Sequence, residues 1–178
     1  APQLNLPAGF YDSPVSVEME SPSLSAIHYT LDGSTPTPGS NLYSGPIEVS
    51  SNMVIKAICV EEGKMNSEPI SATYFMGEDV SLPVFSFSMD PGLAGGFPYS
   101  SERVSHLEYF NENQTRVISQ DVGARITGLV GIHPMRTFSL YARSEYGKSR
   151  LNHRFFQSKN MTSYKNLVLR NGGYQDYS

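Results

Sequence analysis

Ten consecutive residues, Ile27-His28-Tyr29-Thr30-Leu31-Asp32-Gly33-Ser34-Thr35-Pro36, restrict the fold of this chain more than any others. Ile27, Tyr29 and Leu31 alternate with His28, Thr30 and Asp32, the period of two that a half-buried strand imposes. The strand runs into Asp32-Gly33, where glycine supplies the positive φ of a tight hairpin reversal. Ser34 and Thr35 add side-chain oxygens that bond nearby backbone N–H groups, and Pro36 fixes its own φ. Asp32 therefore reads as a turn residue rather than a catalytic acid.

Charge divides the chain. Residues 1–82 carry ten acidic side chains against Lys56 and Lys64, a net of −8, whereas residues 83–178 carry eleven basic against seven acidic, a net of +4. A reversal of this size within 178 residues predicts two units with different surroundings. The seam is placed in the polar link Met76-Gly77-Glu78-Asp79, giving domains at 1–77 and 78–178. The single cysteine, Cys59, lies in the apolar run Val54–Val60 and reads as a small buried hydrophobe; it leaves the redox compartment open. No stretch approaches the ~18 apolar residues of a membrane span.

The first unit reads as all-β. Val15, Val17 and Met19 alternate, the Tyr29 strand follows, and Ile47 with Val49, residues 53–60, and Ile70, Ala72 and Tyr74 supply further runs. Strands about ten residues apart with turn signals between them describe a small Ig-like β-sandwich, with run 53–60, apolar on both faces, at its centre. In the second unit Val84–Met89 alternates cleanly and residues 92–101 are a loop by composition. His106–Phe110 and Arg116–Ile118 flank an Asn111–Gln114 turn, and Ala124–Ile126, Phe138–Arg143 and Leu167–Arg170 complete a strand-rich unit. No helix longer than about three turns is visible, so one apolar face of this sheet is expected to need cover from elsewhere.

The chemistry-bearing residues exclude several classes. The four histidines have no partner at i+2 to i+4, and with one cysteine no zinc site is expected. Asn111-Glu112-Asn113 lacks the glycine and distal glutamate of a calcium loop, no G-x-S-x-G elbow is present, and no catalytic residue is assigned. What remains is a set of strand cations: Arg125, Arg136, Arg143, Arg150, Arg154 and Arg170, with Lys148, Lys159 and Lys165. Arg125 follows Asp121-Val122-Gly123-Ala124, and a glycine turn leading to a cation on the next strand is one way to hold phosphate; a solvated sheet face is the other reading. The mild basic excess does not predict nucleic-acid binding.

Two resemblances add to this. The segment Tyr29-Thr30-Leu31-Asp32-Gly33-Ser34-Thr35-Pro36 resembles the hairpin of chitobiase/β-hexosaminidase C-terminal-type domains, Ig-like accessory modules of bacterial surface and polysaccharide-processing proteins. Leu82–Ser86, His106–Phe110, Ile118–Ile126, Ser139–Gly147 and Tyr164–Gly172, in that order, resemble the opening part of the CotH family (spore-coat protein H-like proteins). That resemblance implies a kinase N-lobe-like unit of an exported, extracellular or bacterial cell-surface protein. Some members are protein serine kinases using ATP and a divalent metal. Arg125, Arg136 and Arg143 would then face nucleotide phosphates, with Gly128 and Gly131 shaping the loop over them. Arg136 stands where the family commonly has lysine. The acids that hold metal in the family lie beyond the position of Ser178. The expectation is therefore no cofactor and no turnover in this chain, ATP and Mg in a fuller domain, and the remainder of that domain as partner. The alternative is a non-enzymatic surface module for a glycan or protein partner, with Tyr11, Tyr43, Phe97 and Tyr99 as stacking residues.

Overall fold

The computed structural model describes residues 1–93, 101–127 and 137–170. The N-terminal half holds β1 (Gln3–Leu4), β2 (Gly9–Tyr11), β3 (Val15–Val17), β4 (Met19–Glu20), β5 (Ala26–Thr30), β6 (Asn41–Leu42), β7 (Ile47–Val49), β8 (Met53–Val60) and β9 (Ile70–Met76). One sheet runs β2-β9-β8-β5-β6, with β2 parallel to β9 and the other pairs antiparallel. The two-stranded pairs β3–β7 and β1–β4 complete the sandwich. Alternation decides what is buried: Val17, Val49, Ile55, Ala57, Ala72 and Tyr74 all turn into the core between the layers. Strand β8 is central, as its two apolar faces require.

The Asp32-Gly33 segment differs from the tight hairpin that its sequence predicts. Residues 31–40 all separate β5 from β6. Asp32 Oδ1 accepts from the Ser34 N–H at 3.0 Å and the Ser34 hydroxyl at 2.6 Å, and Thr30 Oγ1 donates to the Ser34 carbonyl at 2.7 Å. These side-chain bonds form an Asx turn within a longer loop, and Pro36 and Pro38 have no N–H with which to resume the ladder. Gly33 has φ +83°, and a Cβ there would stand 3.2 Å from the Met89 carbonyl oxygen. The turn therefore lies against the C-terminal half.

That half contains β10 (Val84–Ser88), β11 (Arg103–Phe110), β12 (Arg116–Thr127), β13 (Thr137–Tyr141), β14 (Leu151–Asn152), β15 (Ser163–Tyr164) and β16 (Asn166–Leu169). An antiparallel sheet runs β10-β11-β12-β13-β16, and β14 pairs with β15. Asn111 Oδ1 shapes the β11–β12 reversal by accepting from the Asn113 and Thr115 N–H groups, each at 3.0 Å. The apolar face of this sheet carries Phe85, Leu107, Tyr109, Val122, Leu140 and Leu167. The sequence pattern predicts that this face needs cover from elsewhere, yet Leu151, Phe155 and Tyr164 lie on it; the Phe155 and Tyr109 rings are 5.0 Å apart. The covering segment is irregular and polar, with too little periodicity to be visible in sequence. Arg154 ties it together by donating to the carbonyls of Gln157 and Lys159.

The other face of the sheet is turned toward the sandwich and carries charge. Strand β2 covers β9 only from Tyr74 to Met76, so the backbone of Ser71 and Thr73 needs other partners. Glu108, 1% exposed, accepts from the Thr73 N–H at 2.8 Å and from Thr73 Oγ1 at 2.5 Å. Arg116 Nη1 donates to Glu108 Oε1 at 2.5 Å and to the Ser71 carbonyl at 3.1 Å. A register shift after Tyr109 pairs Phe110 with Arg116, leaves Val117 unpaired, and so directs Arg116 to this face. Phe110 joins the sandwich core, with its ring 5.5 Å from both Phe10 and Phe75.

Two stability outcomes follow. Gly33→Val forces a β-branched residue into positive φ against Met89, at a cost on the order of 1–3 kcal/mol. Because both halves meet there, thermal unfolding should shift as one transition. Glu108→Ala leaves the Arg116 cation and the Thr73 N–H without their acceptor, and should cost about 3 kcal/mol. Urea unfolding of the 178-residue chain reads this directly; a loss below about 0.5 kcal/mol, the scale of an ordinary surface substitution, would show that the link does not hold the halves together.

Candidate functional site

The strand cations separate into groups with different partners. Arg125 on β12 pairs with Ser139 of β13, and Gly123 pairs with Tyr141, so Arg125, Gly123 and Tyr141 share one face. The Arg125 guanidinium carbon stands 5.2 Å from the Tyr141 ring centroid, and that of Arg143, just beyond β13, stands 5.1 Å from it. Such contacts hold arginine heads over an aromatic ring by its quadrupole. Arg125 Nε is buried and has no hydrogen-bond partner.

Arg143 is engaged elsewhere as well. Its Nη2 donates to Glu102 Oε1 at 2.5 Å and its Nε to Glu102 Oε2 at 3.0 Å, a bidentate pair. Tyr146 donates its hydroxyl to Glu102 Oε2 at 3.1 Å. The Arg143 guanidinium, aided by this hydroxyl, holds the Glu102 carboxyl below the usual carboxylate range. Burial, reinforced by the Glu102 bond, pushes the Tyr146 phenol up to about 12. Gly123 makes room for the cluster: a Cβ there would come within 3 Å of both Glu102 and Tyr146. Residues 121–125 are thus not a glycine turn followed by a new strand. They lie inside the continuous twelve-residue β12, and the glycine serves the packing of Tyr146.

The remaining assignments fall differently. Gly128, Gly131 and Arg136, and the aromatics Phe97 and Tyr99, lie outside the described residues. Tyr11 is part of the sandwich wall, its hydroxyl donating to the Pro7 carbonyl at 2.7 Å. Tyr43 packs edge-on to Tyr29, and its hydroxyl accepts from the Met19 N–H at 3.0 Å. Arg150 donates to the Ser163 hydroxyl at 3.5 Å, and Lys159 lies over the Phe156 ring. Among the described residues no three His, Cys, Asp or Glu side chains are gathered to hold a metal, and no helix is long and apolar enough to cross a membrane. Sequence reasoning overlooked Tyr141 and Glu102. Period-two alternation in Tyr141-Ala142-Arg143 could have placed the tyrosine with the cations, but Glu102, 41 residues from Arg143, left no local signal.

Residues 6–73 match the family model of the chitobiase/beta-hexosaminidase C-terminal domain. The match ends at Thr73, whose backbone N–H and hydroxyl bond Glu108, and it supports the Ig-like reading of the sandwich. Neither the curated proteins nor the solved structures contain a match to the chain.

Arg143→Ala should release Glu102 upward in pKa. A carboxylate held low contributes stability that is full above its unfolded value and is lost as pH falls through its folded value. The difference in melting temperature between wild type and Arg143→Ala should therefore be largest near neutral pH and close as the pH drops below the carboxylate range. A difference independent of pH would assign the effect to lost stacking on Tyr141.

Proposed function

We propose that this chain is the N-terminal region of an exported or surface protein of CotH type, in which an accessory sandwich is fixed to the nucleotide-binding lobe of a kinase-like domain. The observation that carries this reading is Arg125: a cation on an antiparallel five-stranded sheet, held over Tyr141, with a buried Nε that has no partner. A guanidinium so oriented suits a phosphate oxygen, for which its planar fork is preorganised. Arg143, neutralised by Glu102, would position Tyr141 and Arg125 rather than bind phosphate alone. Phosphoryl transfer needs metal-holding acids and a positioned base besides a phosphate clamp. The described residues gather no such acids, so in this reading the remainder of the domain supplies them, together with Mg, and serves as the partner of this lobe. The sandwich would act as a spacer or anchor, in keeping with its family match.

Titration of the 178-residue chain with a fluorescent ATP analogue tests the proposal. Binding without phosphate release is expected, and Arg125→Ala should weaken it about tenfold, the value of one charge-assisted contact pair. Affinity unchanged by Arg125→Ala would remove the phosphate role, and ATP turnover by this chain would overturn the partial-lobe reading. A second reading, favoured by the family match, is a non-catalytic module for a surface glycan or protein. Retention on insoluble polysaccharide with no nucleotide binding would select it.

A further inference from the structure

Three side chains on the sandwich-facing side of the C-terminal sheet form a hydrogen-bonded line. Strand pairing puts His106 of β11 directly opposite Asp121 of β12, and Ser119, two residues away along β12, projects from the same face. Asp121 Oδ1 lies 2.6 Å from His106 Nδ1, and His106 Nε2 lies 3.0 Å from Ser119 Oγ. A carboxylate on Nδ1 selects the tautomer with the proton there, which leaves Nε2 to accept from the serine hydroxyl. These are the partners and spacings by which a serine is made nucleophilic.

The line borders a cleft of about 460 Å³ between the two halves of the chain. One wall carries His106, Ser119 and Asp121, with Lys148 adding positive charge and Arg116 held by Glu108, and the other is the apolar Leu4, Pro7 and Ile70 surface of the sandwich. The His106 side chain is 14% exposed, sheltered but open to the cleft.

We propose that Ser119 is the nucleophile of an acyl-transfer site for small carboxylic esters, independent of the nucleotide reading. Ser119 Oγ attacks the ester carbonyl carbon while its proton passes to His106 Nε2. The oxyanion of the tetrahedral adduct is stabilised by the Lys148 ammonium at the cleft, Arg116 being held by Glu108. Collapse of the adduct breaks the bond to the alcohol, which leaves with the proton from Nε2. Water, deprotonated by the same nitrogen, then attacks the acyl-serine; the bond to Oγ breaks, the carboxylic acid leaves, and Nε2 returns its proton to Ser119 Oγ. Asp121 is a positioning residue: its carboxylate orients His106 and stabilises the imidazolium that forms. The acyl group would rest on the sandwich wall, so both halves of the chain build the site.

A biotinylated fluorophosphonate, whose phosphorus loses fluoride to an activated serine, is the probe, with peptide mass spectrometry to locate the adduct. Wild type should be labelled at Ser119 and hydrolyse p-nitrophenyl acetate. Ser119→Ala, which removes one oxygen and should leave the unfolding transition in place, should abolish both. His106→Gln should slow labelling at least 100-fold. Asp121→Asn should slow it and also shift the midpoint of its pH profile, which a merely structural link would not do. Absence of an adduct at Ser119, or equal labelling rates in wild type and a folded His106→Gln, would overturn the proposal.

Discussion

The architecture depends on one buried carboxylate. Glu108 does for the Thr73 N–H, and Arg116 for the Ser71 carbonyl, what a neighbouring strand would have done had β2 been longer. An open sheet edge is a template for unwanted pairing, and here two side chains close it. Desolvating a carboxylate is costly, and it persists because three donors, the Arg116 guanidinium among them, surround it. Thr73 Oγ1 donates to Glu108 and so must accept from Ser86, which extends the link to β10. With the Phe10, Phe75 and Phe110 rings beside it, this makes a joint that is polar at one end and aromatic at the other.

The joint explains the division of labour between the faces of the C-terminal sheet. One face is apolar and covered by the chain's own irregular segment; the other must satisfy the sandwich and therefore carries Glu108, Arg116, His106 and Asp121. Lys56, on the sandwich side, is only 8% exposed and lines the same seam. Burial pushes its ammonium down in pKa, and the carboxylates of Asp121 and Glu108 partly offset that. The seam thus sets a lysine of the acidic half against carboxylates of the basic half, opposite in sign to the net charge of each. Farther along the polar face, Arg125 and Arg143 gather around Tyr141.

Much of the fold was legible because strands announce themselves by alternation. The runs at Val15, Tyr29, Ile47, residues 53–60 and Ile70, and those at Val84, His106 and Leu167, all appear as strands. What misled was punctuation. Gly33 has the positive φ that its Asp-Gly setting implies, but Asp32 and Ser34 bond to each other and lengthen the loop. Gly123 looked like a break, yet a glycine under an aromatic ring can lie in mid-strand without interrupting it. The candidate sites were less legible. Arg125 and Arg143 could be named from their strands, while Glu102, Tyr146 and the His106–Asp121 pair depend on register between segments 15 to 44 residues apart. Register is set by the packing of whole faces, which no local window contains.

Phe110 belongs to the core of a sandwich whose own family signature ends at Thr73. Such a module is not a freely exchangeable cassette in this chain, because part of its interior is contributed by the neighbour. If recombination gave the sandwich a different successor, that successor would have to bring a carboxylate and an aromatic ring two residues apart on one strand face, as Glu108 and Phe110 are. A shuffled pairing without them would leave an opening in the sandwich wall and an unclosed edge on β9. The complementarity rests on two residues, and the sandwich is a closed unit only together with the strand that seals it.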